Sequence, residues 1–243
     1  KLTERWRLRA GLSRTEHDNS SQESRVSDAT MDGTEFGVRY LTPGRSEFGV
    51  RHETVDALLP IQQLVNGAPV DNSYRQQQVS VFARWPVTAE VLLRASLGEV
   101  SRDHKQLPER DYSDSIHSFG ADWQAADSLR FGITRSRGIS QYEQVNVGLV
   151  VLESLDFRAS WEITEKLAVT LNQLNGNRRY LADPALALSP SEPRTEDVNM
   201  TQLELSYLAA DFLTLGFDWR SDARTSPVQF GDYDANVVTL RIR

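Results

Sequence analysis

Three tryptophans spaced 38 residues apart, Trp85, Trp123 and Trp161, each end a run in which apolar and polar residues alternate. A short turn follows each tryptophan, and the alternation then begins again. Because successive strand side chains point to opposite faces, this period of two predicts strands joined in pairs by tight turns. Tyr40 and Tyr207 occupy equivalent positions, so these five residues form the expected aromatic girdle. Such a girdle is typical of a membrane–water boundary, and the pattern favours a transmembrane β-barrel.

The alternation extends along the chain and predicts twelve strands, as five tight-turn hairpins with one further strand at each end. An even strand number with both ends on one side is what single-chain bacterial barrels require. We therefore predict an all-β fold, a 12-stranded antiparallel up-and-down transmembrane β-barrel with periplasmic termini, in one domain over residues 1–243. The positions expected to face lipid include Trp6, Leu8, Val81, Leu93, Phe131, Leu155, Leu205, Phe217 and Leu240.

Long polar loops are expected at the end of the barrel opposite the short turns, on the outer side of the membrane. They cover about 15–33, 52–78, 101–115, 136–150, 173–198 and 220–234. Alternating Val145, Val147, Leu149 and Val151 suggest that one strand continues beyond the membrane. A soluble β-sandwich would also alternate apolar and polar residues. Two features favour the membrane barrel: the short and long connections segregate to opposite ends, and the second face is too polar for a dry sandwich core.

Composition excludes several classes of protein. The chain is 39% hydrophobic, and no stretch approaches the ~20 apolar residues of a membrane helix, which argues against a helical membrane protein. The formal net charge of −7 argues against nucleic acid as a partner. Cysteine is absent, which excludes disulfides and thiol nucleophiles, and we expect neither a metal site nor a cofactor.

The repeated unit of an aromatic residue, a short turn and a Leu-x-Leu run resembles the EpsL-like barrel porins of exopolysaccharide operons. The unit occurs at 85–89, 123–127, 161–166 and 207–211, and residues 236–243 are similar to the last strand of that group. The resemblance implies a porin of the cell outer membrane associated with exopolysaccharide biosynthesis. Members of that group usually have longer barrels, so additional N-terminal strands before this sequence are left open.

The polar face of the predicted strands is rich in arginine. Its arginines are Arg5, Arg7, Arg9, Arg39, Arg51, Arg84, Arg94, Arg130, Arg158 and Arg241. The acidic residues in the same register are fewer, namely Glu35, Asp122, Asp156, Glu204 and Asp218. Arginines that line a narrow passage bind carboxylate or phosphate and are the usual lining of anion-selective pores. The alternative is that these arginines pair with the carboxylates and merely fill the barrel.

No catalytic residues are expected. The His117–Ser118 pair invites a hydrolase interpretation, but adjacent strand residues point to opposite faces and cannot readily share a proton. Metalloprotease, phosphate-loop and dinucleotide motifs do not occur in the sequence. Two functions remain: a transport barrel for export or diffusion of anionic saccharide or exopolysaccharide, and a non-conducting structural barrel that anchors a larger envelope assembly. The expected partners are outer-membrane lipid and lipopolysaccharide, anionic polysaccharide and other envelope proteins.

Overall fold

The computed structural model describes residues 4–18, 28–65, 67–140, 147–182, 194–227 and 231–242. These residues form a 12-stranded antiparallel sheet and a separate two-stranded hairpin. The strands are β1 (Trp6–His17), β2 (Ala29–Leu41), β3 (Glu47–Leu58), β4 (Gln63–Val65), β5 (Ala68–Val70), β6 (Tyr74–Pro86), β7 (Val91–His104), β8 (Tyr112–Ala126), β9 (Leu129–Ser140), β10 (Val147–Thr164), β11 (Leu167–Ala182), β12 (Arg194–Ala210), β13 (Leu213–Thr225) and β14 (Tyr233–Ile242). A 3-10 turn covers Pro108–Arg110.

The strands of the large sheet pair in chain order. β6 follows β3 because β4 and β5 form their own hairpin in the connection between them. The predicted strand number, antiparallel direction and up-and-down order are confirmed. In the parts of the chain that the structure covers, no helix is long and apolar enough to cross a membrane.

The strands are longer than the alternation predicted, so the predicted loops were too long. β7, for example, continues to His104. The expected continuation of one strand through Val147, Leu149 and Val151 is confirmed, since β10 begins at Val147. Residues 19–27, 141–146 and 183–193 of the predicted loops lie outside the described residues. Beyond the membrane the outward positions become polar, so the amphipathic signal ends while the backbone ladder continues. Cross-strand ion pairs line this extension, as where Arg75 Nε lies 2.7 Å from Asp56.

The outward face of the sheet carries an exposed apolar band that begins at the short turns. On β6 the outward positions are Trp85, Ala83, Val81 and Val79, after which Gln77 is polar. The girdle tryptophans are about half exposed, at 54% for Trp85, 51% for Trp123 and 50% for Trp161. A continuous apolar surface of this extent is rare on soluble monomers, and a bilayer is the environment that covers it.

The buried apolar side chains form small groups rather than a continuous core. Within the described residues they include Val100, Val150 and Tyr180, all at the long-loop end of the strands. A soluble sandwich would instead bury one whole face of every strand against a second sheet. The exposed band and the single large sheet therefore exclude the sandwich.

Threonine side chains fix two of the repeated turns. The Thr88 Oγ1 atom accepts hydrogen bonds from the backbone N–H groups of Glu90 at 3.1 Å and Val91 at 3.0 Å. Thr164 repeats this arrangement, accepting from Leu167 at 3.0 Å. A hydroxyl that satisfies backbone donors in this way favours a turn over continued strand. Each of these threonines comes three residues after a girdle tryptophan, whereas Ala126 occupies this position after Trp123.

β1 and β14 are the two edges of the described sheet. The strand pairs recorded among the described residues do not include one between them. Some of their outward side chains are much more exposed than those of the interior strands, at 88% for Leu12 and 76% for Leu240. Unpaired backbone groups in hydrocarbon cost several kcal/mol each, so in a bilayer these edges have to pair with each other or with further strands.

We expect Leu93→Arg to block assembly, because a midplane arginine on the lipid face costs about 2–4 kcal/mol. Leu93 lies in the outward row beside Trp85 and Ala121. The folded fraction after refolding into lipid vesicles, read from the heat-modifiable mobility of the barrel, measures the effect. The matched control is Ser96→Arg on the inner face of the same strand, and an equal loss in both variants would contradict the register.

Candidate functional site: an arginine recess on the inner face

The predicted lumen arginines lie on the face opposite the apolar band, with one exception. Strand register places Arg7, Arg9, Arg39, Arg51, Arg84, Arg94, Arg130, Arg158 and Arg241 on this inner face. Arg5 precedes β1, and its Nη1 atom lies 3.4 Å from the hydroxyl of Tyr40 in the girdle. Arg5 therefore belongs to the rim at the short-turn end.

Many of these arginines have an acidic partner. The ion pairs are Arg9–Glu35 at 2.9 Å, Arg39–Glu47 at 3.0 Å, Arg51–Glu53 at 3.3 Å, Arg94–Asp122 at 2.8 Å and Arg241–Glu204 at 3.0 Å, with Asp218 3.7 Å from Arg241. Asp156 instead accepts a hydrogen bond of 2.7 Å from Ser154. Glu47 and Glu53 were missed in the sequence, although the parity of Phe48 and Val50 places both on the inner face. The inner face is thus more evenly charged than the sequence suggested.

Three arginines on the inner face surround one cavity and have no acidic partner within the described residues. Arg84 of β6, Arg130 of β9 and Arg158 of β10 line a space of about 550 Å³ near the short turns. We call this cavity and its three arginines the arginine recess. Glu47 is the register neighbour of Arg84, but its carboxylate binds Arg39 instead. Glu90 also lines the cavity, where its carboxylate accepts a hydrogen bond of 2.9 Å from Thr88. Three guanidinium groups face this one carboxylate, so the recess keeps a net positive charge.

Glycine keeps the recess open between its charged walls. Gly132 lies directly between Asp122 of β8 and Arg158 of β10 in the sheet. A Cβ atom at this position would come within 3.3 Å of the Asp122 carboxylate. Asp122 is itself paired with Arg94, so its charge is already compensated and does not cancel that of the recess.

Exposed guanidinium groups in a concave wall are suited to binding anions. Arg84, Arg130 and Arg158 are all exposed, so a solute can reach them. Each guanidinium offers a planar fork of donors that matches a carboxylate or phosphate, and each charge-assisted hydrogen bond contributes about 1.5–3 kcal/mol. The recess can hold an anion electrostatically. Among the residues the structure covers, no three His, Asp or Glu side chains group as metal ligands.

A second polar cluster lies on the inner face at the long-loop end. The guanidinium of Arg102 lies 4.1 Å from the centre of the Tyr74 ring and donates to Gln76 at 2.7 Å. The neighbouring Arg110 donates to Asn72 at 2.6 Å. The sequence predicted a polar loop from about residue 101 to 115, and this was wrong at Arg102, which is 6% exposed and lies near the end of β7. Arg102 comes two residues after the inward-facing Val100, and continued alternation along the strand would have placed both on the inner face.

His104 is the titratable group of this cluster, and it lies beyond the apolar band. Its side chain is 4% exposed, with Nδ1 3.5 Å from the Asp111 carboxylate. Burial lowers the pKa of His104 below its usual 6.5, and the positive charges of Arg102 and Arg110 act in the same direction, against Asp111. The Tyr74 ring packs at 5.6 Å. The unfolded segment therefore binds a proton more readily than the folded one.

We expect the packing of 105–111 to weaken at acid pH. A histidine with a depressed pKa contributes its full stability above pH 6.5, and this is lost as the pH falls from there towards the folded pKa. Hydrogen exchange of this segment, corrected for intrinsic rates, should quicken between pH 7.5 and 5.5. His104→Gln should remove the pH dependence, whereas the outward-facing His52→Gln should keep it. Equal protection of the native protein at both pH values would contradict this prediction.

The His117–Ser118 pair does not form a catalytic dyad. His117 lies opposite Leu97 on the outward face, and Ser118 lies opposite Ser96 on the inner face. Their side chains therefore point in opposite directions, as the sequence argument predicted.

Comparison with known proteins identifies the fold alone. No protein family and no curated protein matches the sequence. Solved outer-membrane structures do match. The fold is that of an outer-membrane β-barrel. A chain of the FpvAI–pyocin S2 complex superposes with a TM-score of 0.60 at 12% identity, over 88% of this chain and 36% of that chain. The pyoverdine receptor FpvA of Pseudomonas aeruginosa PAO1 gives 0.58 at 10% identity, over 88% and 39%.

A smaller barrel is also similar. The outer-membrane channel DcaP of Acinetobacter baumannii has a TM-score of 0.56 at 13% identity, over 98% of this chain and 70% of that chain. The chain thus spans little more than a third of each of the first two structures and 70% of this channel. The expected localisation, the cell outer membrane, agrees with this fold and with the exposed apolar band. The link to exopolysaccharide that the sequence resemblance implied finds no support among these proteins.

Proposed function

We propose that this barrel is an outer-membrane channel for anionic solutes, acidic saccharides included. The observation that carries the proposal is the arginine recess: Arg84, Arg130 and Arg158 surround one cavity of about 550 Å³ without an acidic partner in the described residues. The likeness to DcaP, an outer-membrane channel, supports the transport class. The proposal that the solutes are anions rests on the recess itself.

Physical chemistry explains why such a recess would select anions. Positive charge in a concave, low-dielectric wall focuses the potential and raises the local concentration of anions. Rings of arginine at a constriction therefore favour anion passage. The forks of three arginines on different strands also suit a solute with several carboxylates, such as a chain of acidic sugars. Binding of this kind weakens as salt screens the charges.

The alternative is a non-conducting structural barrel that anchors an envelope assembly. The ion pairs Arg94–Asp122 and Arg241–Glu204 favour it, because they fill part of the inner face. The buried cluster around Arg102 favours it too, since its side chains are packed against one another on the inner face at the other end. These contacts would hold the sheet in shape without any solute.

We expect planar-bilayer recordings under a salt gradient to give an anion-selective reversal potential. The triple variant Arg84→Gln, Arg130→Gln and Arg158→Gln should lower the chloride-to-potassium permeability ratio on the order of tenfold, because it removes three positive charges that attract anions. A tenfold change in this ratio corresponds to about 1.4 kcal/mol of free energy. Raising the salt concentration should reduce the difference in permeability ratio between the native protein and the triple variant. The matched control is Arg75→Gln on the outward face, which should leave the ratio unchanged.

Two results would contradict the channel. Cation preference in the native protein would reject the anion-selective role of the recess. A folded barrel that inserts but never conducts would favour the structural alternative.

A further inference from the structure

One arginine faces outward, on the lipid side of the sheet, and has no acidic partner among the described residues. Arg135 of β9 continues the outward row of Leu129, Phe131 and Ile133. Its two neighbours across the sheet are Phe119 and Leu155, both exposed and apolar. An exposed cation in an apolar row requires either solvent or an anion from the membrane.

The other outward arginines near this height are compensated. Arg14 binds Asp32 at 2.8 Å, and Arg75 binds Asp56 at 2.7 Å. Arg137, next along β9, binds Asp114 and lies 3.2 Å from Glu153. Arg135 differs from all three because it has no acidic partner among the described residues. It lies on the same outward face, at the end of the apolar row nearest the long loops.

An apolar depression lies directly beside Arg135. It has a volume of about 500 Å³, and its floor is formed by Ala83, Ala95 and Ala121 on three adjacent strands. Ala83 and Ala95 are directly opposite each other in the sheet. Because these side chains are small, the outer surface sinks between the larger residues that wall the depression. Those walls are Trp85, Leu93, Phe119, Ile133 and Leu155. We call this depression the alanine groove.

The groove and the cation are arranged like the two parts of a lipid. The groove reaches Trp85 of the girdle at the short-turn end, and Arg135 lines it towards the long-loop end. Arg135 comes six residues after Leu129, the first outward position of β9, which is roughly 20 Å along a strand. A long side chain at this level can keep its stem in the apolar layer and its charge at the head groups.

We propose that the alanine groove and Arg135 bind lipid A, the phosphorylated and acylated anchor of lipopolysaccharide. An acyl chain occupies the groove, and a lipid A phosphate accepts hydrogen bonds from the Arg135 guanidinium. Long loops mark the outer side of such barrels, and lipopolysaccharide forms the outer leaflet there, so Arg135 meets this lipid rather than a glycerophospholipid. The site is on the opposite face of the sheet from the arginine recess and is independent of transport.

The test measures lipid A binding by the purified barrel in detergent, by native mass spectrometry and by the shift in its thermal unfolding. We expect Arg135→Gln to weaken binding of bisphosphorylated lipid A about tenfold. Ala95→Phe, which fills the groove, should weaken it similarly. The matched control Arg75→Gln removes an outward but paired arginine and should bind as the native protein does. Without lipid A, all variants should unfold at nearly the native temperature.

Comparison of lipids separates the two parts of the site. Dephosphorylated lipid A should bind the native protein as weakly as bisphosphorylated lipid A binds Arg135→Gln. The proposal is overturned by equal affinity of native protein and Arg135→Gln for bisphosphorylated lipid A. It is also overturned if phosphatidylglycerol binds the native protein as tightly as lipid A does.

Discussion

The backbone hydrogen-bond ladder is the constraint on which the rest of this structure depends. A bilayer offers no water to a peptide N–H or C=O group, so a strand can cross it only when both neighbours satisfy its backbone. Antiparallel pairing from β1 to β14 supplies these bonds in chain order. Once the ladder is set, side chains must alternate between lipid and the interior, and both the apolar band and the polar inner face follow.

The same alternation creates an electrostatic problem on the inner face. Every second residue is kept away from lipid, and arginine is frequent among these positions. Carboxylates on neighbouring strands compensate many of the charges, as Asp122 does for Arg94. Arg84, Arg130 and Arg158 remain without such partners in the part of the chain described, and they share one cavity. An arginine paired with a carboxylate helps to hold the sheet in shape, whereas arginines without such a partner can bind a solute.

The sequence predicted the fold well wherever one face had to meet lipid. The girdle residues, the strand order and the inward position of arginines such as Arg130 and Arg158 follow from parity alone. It failed where lipid contact ends on β7, because the extension to His104 is held by polar cross-strand contacts that leave no amphipathic pattern. The extension of β10 was different, since the alternation of Val147, Leu149 and Val151 did indicate it. Which arginines are compensated could not be predicted either, since that depends on the direction of long flexible side chains. Arg135 was detectable, because parity from Leu129 places it outward.

The height of the apolar band has a consequence for the surrounding membrane. Each outward row holds only about four apolar positions, as from Trp85 to Val79 on β6. Six residues of strand measure roughly 20 Å before tilt, which is shorter than the ~25 Å of ordinary outer-membrane barrels. Lipids next to this protein therefore meet a hydrophobic mismatch and have to thin locally, at a fraction of a kcal/mol per ångström. Such a collar of compressed lipid would draw the barrel towards thin patches of membrane and towards other short-banded proteins.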